Sequence, residues 1–236
     1  HCRDLFVYDL KKTWGLRKKD ELDQSKDILF CKMYRYLAQV IGVIPAPKLY
    51  FNPEQPLGLL NGNLDPPGFI MGSDMQGRGQ RELAYIIARQ LALATPLHYM
   101  AGVRLPSETL RFLVLGAMHA STQPASAPMD PNLESVVRTI VKMPPPVAVE
   151  LHKLVKAVIE GKVEVNTSRW LKGVDYTANR IGLLLCGDLN TAMSCIRNDG
   201  APISKLTTQE KEIDLLQYAI SDRYFDIRAR LKLSIS

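Results

Sequence analysis

Arg81-Glu82-Leu83-Ala84-Tyr85 opens a strongly apolar stretch, ELAYIIARQLAL over 82–93, whose composition predicts a helix. In a helix, residues i and i+4 stand on one face, one turn apart. Arg81 and Tyr85 therefore share a face, with the Glu82 carboxylate beside them. Far downstream, a helix predicted over 167–186 carries Asp175-Tyr176-Thr177-Ala178-Asn179-Arg180-Ile181-Gly182. Asp175 and Asn179 are again one turn apart. A carboxylate in so apolar a setting needs a cation, a metal or hydrogen-bond donors beside it, because an uncompensated buried charge is costly. Glu82 has the chemistry of a general base, and Asp175 that of a metal ligand or ion-pair partner.

The elements around these residues are legible from pattern. Apolar residues recur at the helical period over 16–42, and Gly42 and Pro45 end that run. Short strands are predicted at 48–51 (KLYF), 58–61 and 68–72 (GFIMG), with a Pro66-Pro67 turn before the last. From there on the pattern is helical: 82–93, 107–119, 133–142, 144–160, 167–186, 188–197, 208–219 and 222–233. Thr122 to Pro131 reads as a Ser/Pro/Ala-rich loop. Gly187 followed by Asp188 reads as a helix C-cap and the next N-cap. Clustered strands followed by many helices make the fold class α+β, mostly helical, with a small β-sheet in the N-terminal half.

The order of strand, Asn-rich turn, strand, HExxH-type helix and a later E-x-x-A-D-R-x-G helix resembles gluzincin metallopeptidases of the HtpX and CAAX-prenyl-protease type. The resemblance spans 48–193. It extends to divergent peptidase-like regions at the ends of large bacterial tetratricopeptide-repeat proteins. On this likeness Arg81 and Tyr85 stand in the two His positions and Glu82 in that of the general base. Asp175 stands where the third zinc ligand, a Glu, would be. Ala178, Arg180 and Gly182 match the family pattern, and Asn179 replaces its Asp. The resemblance implies a zincin-like helical core with the sheet packed on it. It divides the chain into an N-terminal helical segment or linker (1–45), a degenerate metallopeptidase-like domain (46–200) and C-terminal helices packing on it (201–236).

The departures from the pattern decide the expected function. Zinc takes deprotonated N, S or O donors. A guanidinium stays protonated and has no lone pair to give, so Arg81 is no ligand. Tyr85 would ligate only as a phenolate, from a pKa near ~10. One carboxylate, Asp175, does not hold zinc against water, and Glu82 is then a base without a metal. No metal and no cofactor are expected, and Arg81, Glu82, Tyr85, Asp175 and Asn179 are vestigial positions. Arg81 is expected to replace the lost dication, pairing with Asp175, Glu82 or both, with the Tyr85 hydroxyl joining. The competing reading makes Arg81 a solvated residue at a helix start.

The chain has 236 residues with 30 Lys+Arg against 24 Asp+Glu. Its densest basic run, Lys11 to Lys19, stands beside Asp20, Glu21 and Asp23, so no basic stripe with stacking aromatics forms and nucleic acid is an unlikely partner. No run of about 18 apolar residues predicts a membrane helix. Four cysteines without a CxxC pair point to a reducing, cytoplasmic setting. The start at His1-Cys2, without Met, points to a piece of a longer protein. None of His98, His119 or His152 has another ligand type at i+4. The turn-rich segment 52–67 is either a surface loop or, as the resemblance implies, the edge of a cleft that takes an extended segment by strand addition. The expected function is a non-catalytic pseudo-metallopeptidase domain, a protein-binding or scaffolding module whose partner is another protein or a neighbouring domain. The alternatives are a zinc peptidase with ligands relocated to residues such as His98, His119, Asp175 and Glu82, and a nucleic-acid binder.

Overall fold

A computed structural model describes residues 6–123, 130–200 and 202–233. Three strands, β1 (Lys48–Asn52), β2 (Leu59–Asn61) and β3 (Gly68–Gly72), coincide with the three predicted ones. They form one mixed sheet in the order β1-β3-β2, with β1 parallel and β2 antiparallel to β3. Eleven helices are described: α1 (Leu10–Trp14), α2 (Leu29–Ile41), α3 (Gln80–Ala94), α4 (Tyr99–Gly102), α5 (Ser107–Thr122), α6 (Pro131–Val141), α7 (Pro145–Glu160), α8 (Thr167–Cys186), α9 (Leu189–Arg197), α10 (Thr208–Ala219) and α11 (Asp222–Arg230). The fold is α+β and mostly helical. No helix among the described residues is long and apolar enough to cross a membrane.

The helix expected over 16–42 is a correction: only Leu29–Ile41 is α-helical. Local side-chain bonds end the run upstream. Asp20 takes the Arg17 amide at 2.7 Å, and Asp23 takes the Ser25 amide at 2.9 Å. Such bonds compete with the helix ladder. The loop expected at 122–131 falls largely on 124–129, outside the described residues.

The chain forms two compact units. The larger comprises Val7–Arg104 and Leu171–Ser236; the smaller comprises His1–Phe6 and Leu105–Trp170, of which only the second stretch lies in the segment read above as 46–200. In the smaller unit α5 packs on α6 and α7. A side chain at Gly116 of α5 would stand 2.6 Å from Val136 Cγ1, so the small residue sets the α5–α6 approach.

In the larger unit α3 is the organising element. Ten of its residues from Leu83 to Leu93 are buried, as in a helix covered on all sides. On one side Leu83, Ile87 and Leu91 pack with Phe30, Tyr34 and Leu37 of α2 and with Leu49 and Phe69 of the sheet. On the other, Ala84 and Tyr85 pack with Leu183 and Leu184 of α8, Ala192 and Ile196 of α9, Leu215 of α10 and Tyr224 of α11. Gly182 lets α8 come close, since a Cβ there would lie 2.7 Å from the Tyr85 ring. The C-terminal helices thus share the core that positions the polar groups of α3 and α8.

Both outer edges of the sheet are occupied. Along β1, the Leu22 amide donates to Leu49 O at 2.8 Å, and Lys48 Nζ pairs with Glu21 at 2.8 Å. Along β2, with the Gln90 amide oriented to satisfy both partners, its Nε2 donates to Leu59 O at 3.1 Å and its Oε1 accepts from Asn61 N at 3.2 Å. These are the β2 groups a further strand would use.

Candidate functional site

Three of the five positions singled out in the sequence converge between α3 and α8. Asn179 Oδ1 accepts from the Tyr85 hydroxyl at 2.9 Å, and Asn179 Nδ2 donates to Asp175 Oδ1 at 3.2 Å. Asp175 is 0% exposed. The i, i+4 spacing of Asp175 and Asn179 puts both on the face of α8 turned toward α3.

The other two positions stand apart, and the expected pairing of Arg81 with Asp175 or Glu82 is a correction. Arg81 Nη1 pairs with Asp188 Oδ2 at 2.7 Å, and its side chain is 60% exposed. Its place in the first turn of α3 aims it along the helix end, toward the N-cap of α9. Glu82 Oε2 accepts the Gly79 amide at 3.0 Å, closing the first turn, and Glu82 Oε1 stands 3.7 Å from Arg78. Arg81 and Glu82 line a hollow of about 760 Å³ with Cys186 and Arg228, separate from the cleft beside Tyr85.

The cation at Asp175 is Arg89, one turn beyond Tyr85. Arg89 Nε donates to Asn179 Oδ1 at 2.9 Å; Nη2 stands 3.3 Å from Asp175 Oδ1 and 2.9 Å from Asp199 Oδ2. Lys211 of α10 reaches Asp175 Oδ2 at 3.2 Å and Asp199 Oδ2 at 3.7 Å. Ser204 Oγ donates to Asp175 Oδ2 at 2.7 Å. Two cations thus face two carboxylates around one amide and two hydroxyls. Burial alone would weaken the hold of Arg89 on its proton, but the charges of Asp199 and Asp175 outweigh it and its pKa is raised. The signal for Arg89 was present in the sequence as an Arg inside an apolar helix at i+4 from Tyr85. Lys211, Asp199 and Ser204 carried no such signal, because they arrive from distant segments.

Zinc does not fit these groups. Burial pushes the Tyr85 phenol well above its ordinary range, so it is no phenolate. Both Asp175 oxygens already accept from ammonium, guanidinium, hydroxyl or amide donors. Among the described residues no group of three or more His, Cys, Asp or Glu could hold a metal. Of the relocated candidates, His98 Nδ1 sits 3.2 Å from Thr95 Oγ1 and 3.2 Å from Ala92 O, at the end of α3. His119 Nε2 is buried without a partner, in the smaller unit.

Comparison with family models, curated proteins and solved structures gives no match.

Beside the network lies a cleft of about 310 Å³. Leu57, Leu60, Ile86 and Ile196 give it apolar walls, and Arg78, Arg89 and Arg104 bring cations. Arg78 pairs with Asp74 at 3.1 Å. Arg104 follows α4 with a left-handed φ of 62°. Its Nε is buried without a hydrogen-bond partner, and burial together with the charge of Arg89 pushes its pKa down to about 10. Cys195 also lines the cleft. Burial raises its pKa to about 12, so at neutral pH it is a thiol rather than a nucleophilic thiolate.

Proposed function

We propose that this chain is a non-catalytic domain of the degenerate metallopeptidase kind, acting as a protein-binding or scaffolding module of a larger protein. The observation that carries the reading is the closed network at Asp175. Of the positions that correspond to zinc ligands and their support, Tyr85, Asp175 and Asn179 belong to it, while Arg81, in the first His position, stands outside and pairs with Asp188. The charge a dication would supply comes from Arg89 and Lys211, at 3.3 and 3.2 Å. Such a network is saturated by protein donors, which leaves Asp175 no oxygen for a metal that would activate a water. Glu82 is spent on the helix N-terminus instead. The partner is another protein or a neighbouring domain of the same chain, of the kind found beside tetratricopeptide repeats in bacteria. A cytoplasmic setting agrees with three free thiols, Cys31, Cys186 and Cys195, among the described residues.

Elemental analysis of the purified protein, before and after incubation with zinc and dialysis, tests the reading. It requires no stoichiometric metal in either sample. About one retained zinc per chain would overturn it in favour of a peptidase with relocated ligands.

A further inference from the structure

We infer that the cleft beside the Arg89 network is a binding site for a carboxylate carried on a small apolar body, with Arg104 as its anchor. This deepens the reading of the domain as a binding module and rests on it.

The charges select the ligand. Arg89 and Lys211 share Asp175 and Asp199, and Arg78 pairs with Asp74 and stands 3.7 Å from Glu82. Arg104 feels the charges of Asp199 and Asp175, which Arg89 and Lys211 already share, and its buried Nε lacks a hydrogen-bond partner. A guanidinium with an unused donor in a partly dry site costs stability unless an anion answers it. The planar guanidinium fork of Arg104, the one cation lining the cleft with a buried unused donor among the described residues, matches a carboxylate. The left-handed backbone at Arg104 adds a second sign of a residue held at some cost in place, a feature that gathers at binding sites.

The walls select the rest of the ligand. About 310 Å³ is at the small end of ligand pockets, and Leu57, Leu60, Ile86 and Ile196 are apolar. Gln90 already occupies Leu59 O and Asn61 N, so a through-running strand finds no ladder on β2. An occupant entering end-on fits this geometry. Two sources share that chemistry: a free short-chain acid, and the C-terminal carboxylate of a peptide ending in an aliphatic residue.

The test is calorimetric titration of the intact chain with three probes: hexanoate, a hexapeptide ending in Leu with a free carboxylate, and the same hexapeptide amidated. The inference expects hexanoate or the free-ended peptide to bind with Kd at or below about 1 mM, and the amidated peptide at least about tenfold more weakly. Binding of hexanoate alone assigns the source as a small acid; binding of the free-ended peptide assigns it as a chain end. Arg104→Met should weaken the bound probe by about tenfold or more while leaving the chain folded, with a melting temperature no lower than the parent's. No binding of either carboxylate at about 10 mM, equal binding of the amidated peptide, or unchanged binding by a folded Arg104→Met would overturn the inference. Should Arg104→Met not fold, the free-against-amidated comparison on the parent chain decides alone. These outcomes leave the zinc measurement untouched, so failure here is separable from failure of the non-catalytic reading.

Discussion

Asp175 and Arg81 mark the two extremes of how a charge is held in this protein. Asp175 is fully buried and shared by Arg89, Lys211, Ser204 and Asn179, whereas Arg81 makes one exposed pair with Asp188. Removing one member of a buried network strands its partners, at a cost of about 3–5 kcal/mol. An exposed pair is worth about 0.2–1 kcal/mol. Asp175→Asn should therefore lower the free energy of unfolding in urea by several times the effect of Arg81→Ala. Comparable effects would show that Asp175 is not the hub described above. Asp188 supplies a pH dependence. Its carboxylate accepts the Thr191 amide at 2.7 Å, and that bond, with Thr191 and Arg81 beside it, holds its pKa below the ordinary carboxylate value. Because the folded pKa is the lower one, its stabilisation is present above the unfolded value of about 3.9 and is lost as pH falls through the folded one. Asp188→Ala should cost about 1 kcal/mol at pH 7 and flatten the acid limb of stability against pH, read by thermal unfolding from neutral to about pH 2.

Helix α3 shows why the elements are legible in the sequence while the side-chain meetings between them are not. Its apolar composition announced a buried helix, and the strands and the 167–186 helix were found close to where they stand. Apolar periodicity over 16–42 overstates the helix because it continues through side-chain turns at Asp20 and Asp23 that break the ladder. Gly182 governs how near α8 comes to α3. Alanine there would gain about 1 kcal/mol in helix propensity. It would also place a Cβ 2.7 Å from the Tyr85 ring, whose Cε2 belongs to a packed side chain. Overpacking of that kind costs about 1–3 kcal/mol. The steric term wins, so Gly182→Ala should destabilise the protein, and a raised melting temperature would refute the close approach. Gln90 acts at the same scale by closing the β2 edge. Gln90→Ala should leave Leu59 O and Asn61 N open, seen as faster amide exchange at Asn61.

The larger unit is built from two stretches of chain, Val7–Arg104 and Leu171–Ser236. Its buried network takes Arg89 from the first and Asp175, Asp199 and Lys211 from the second. Its second apolar cluster does the same, joining Ala84 and Tyr85 to Leu215 and Tyr224. Arg228 of α11 ties in as well, donating to Leu184 O at 2.9 Å. A chain lacking 207–236 therefore loses Lys211 and the Leu215 and Tyr224 packing together. It should lose the cooperative thermal transition of the larger unit by circular dichroism, and an unchanged transition would show that the C-terminal helices are accessory.

Legible along the chain were the class of fold, the strand and helix order, the Gly187–Asp188 junction and the shared face of Asp175 and Asn179 on α8. These depend on local periodicity, capping and i, i+4 spacing, which a single stretch of chain carries. Tertiary structure alone decided which cation faces Asp175. Arg81 and Arg89 lie on the same helix, but only Arg89 lies far enough from its start to be enclosed, while Arg81 finds Asp188 at the surface. Lys211, Asp199, Ser204 and Arg104 reach the site from loops and helices whose placement follows from packing on α3. No local pattern encodes that meeting, because burial and electrostatic pairing depend on distances across the fold rather than along the chain.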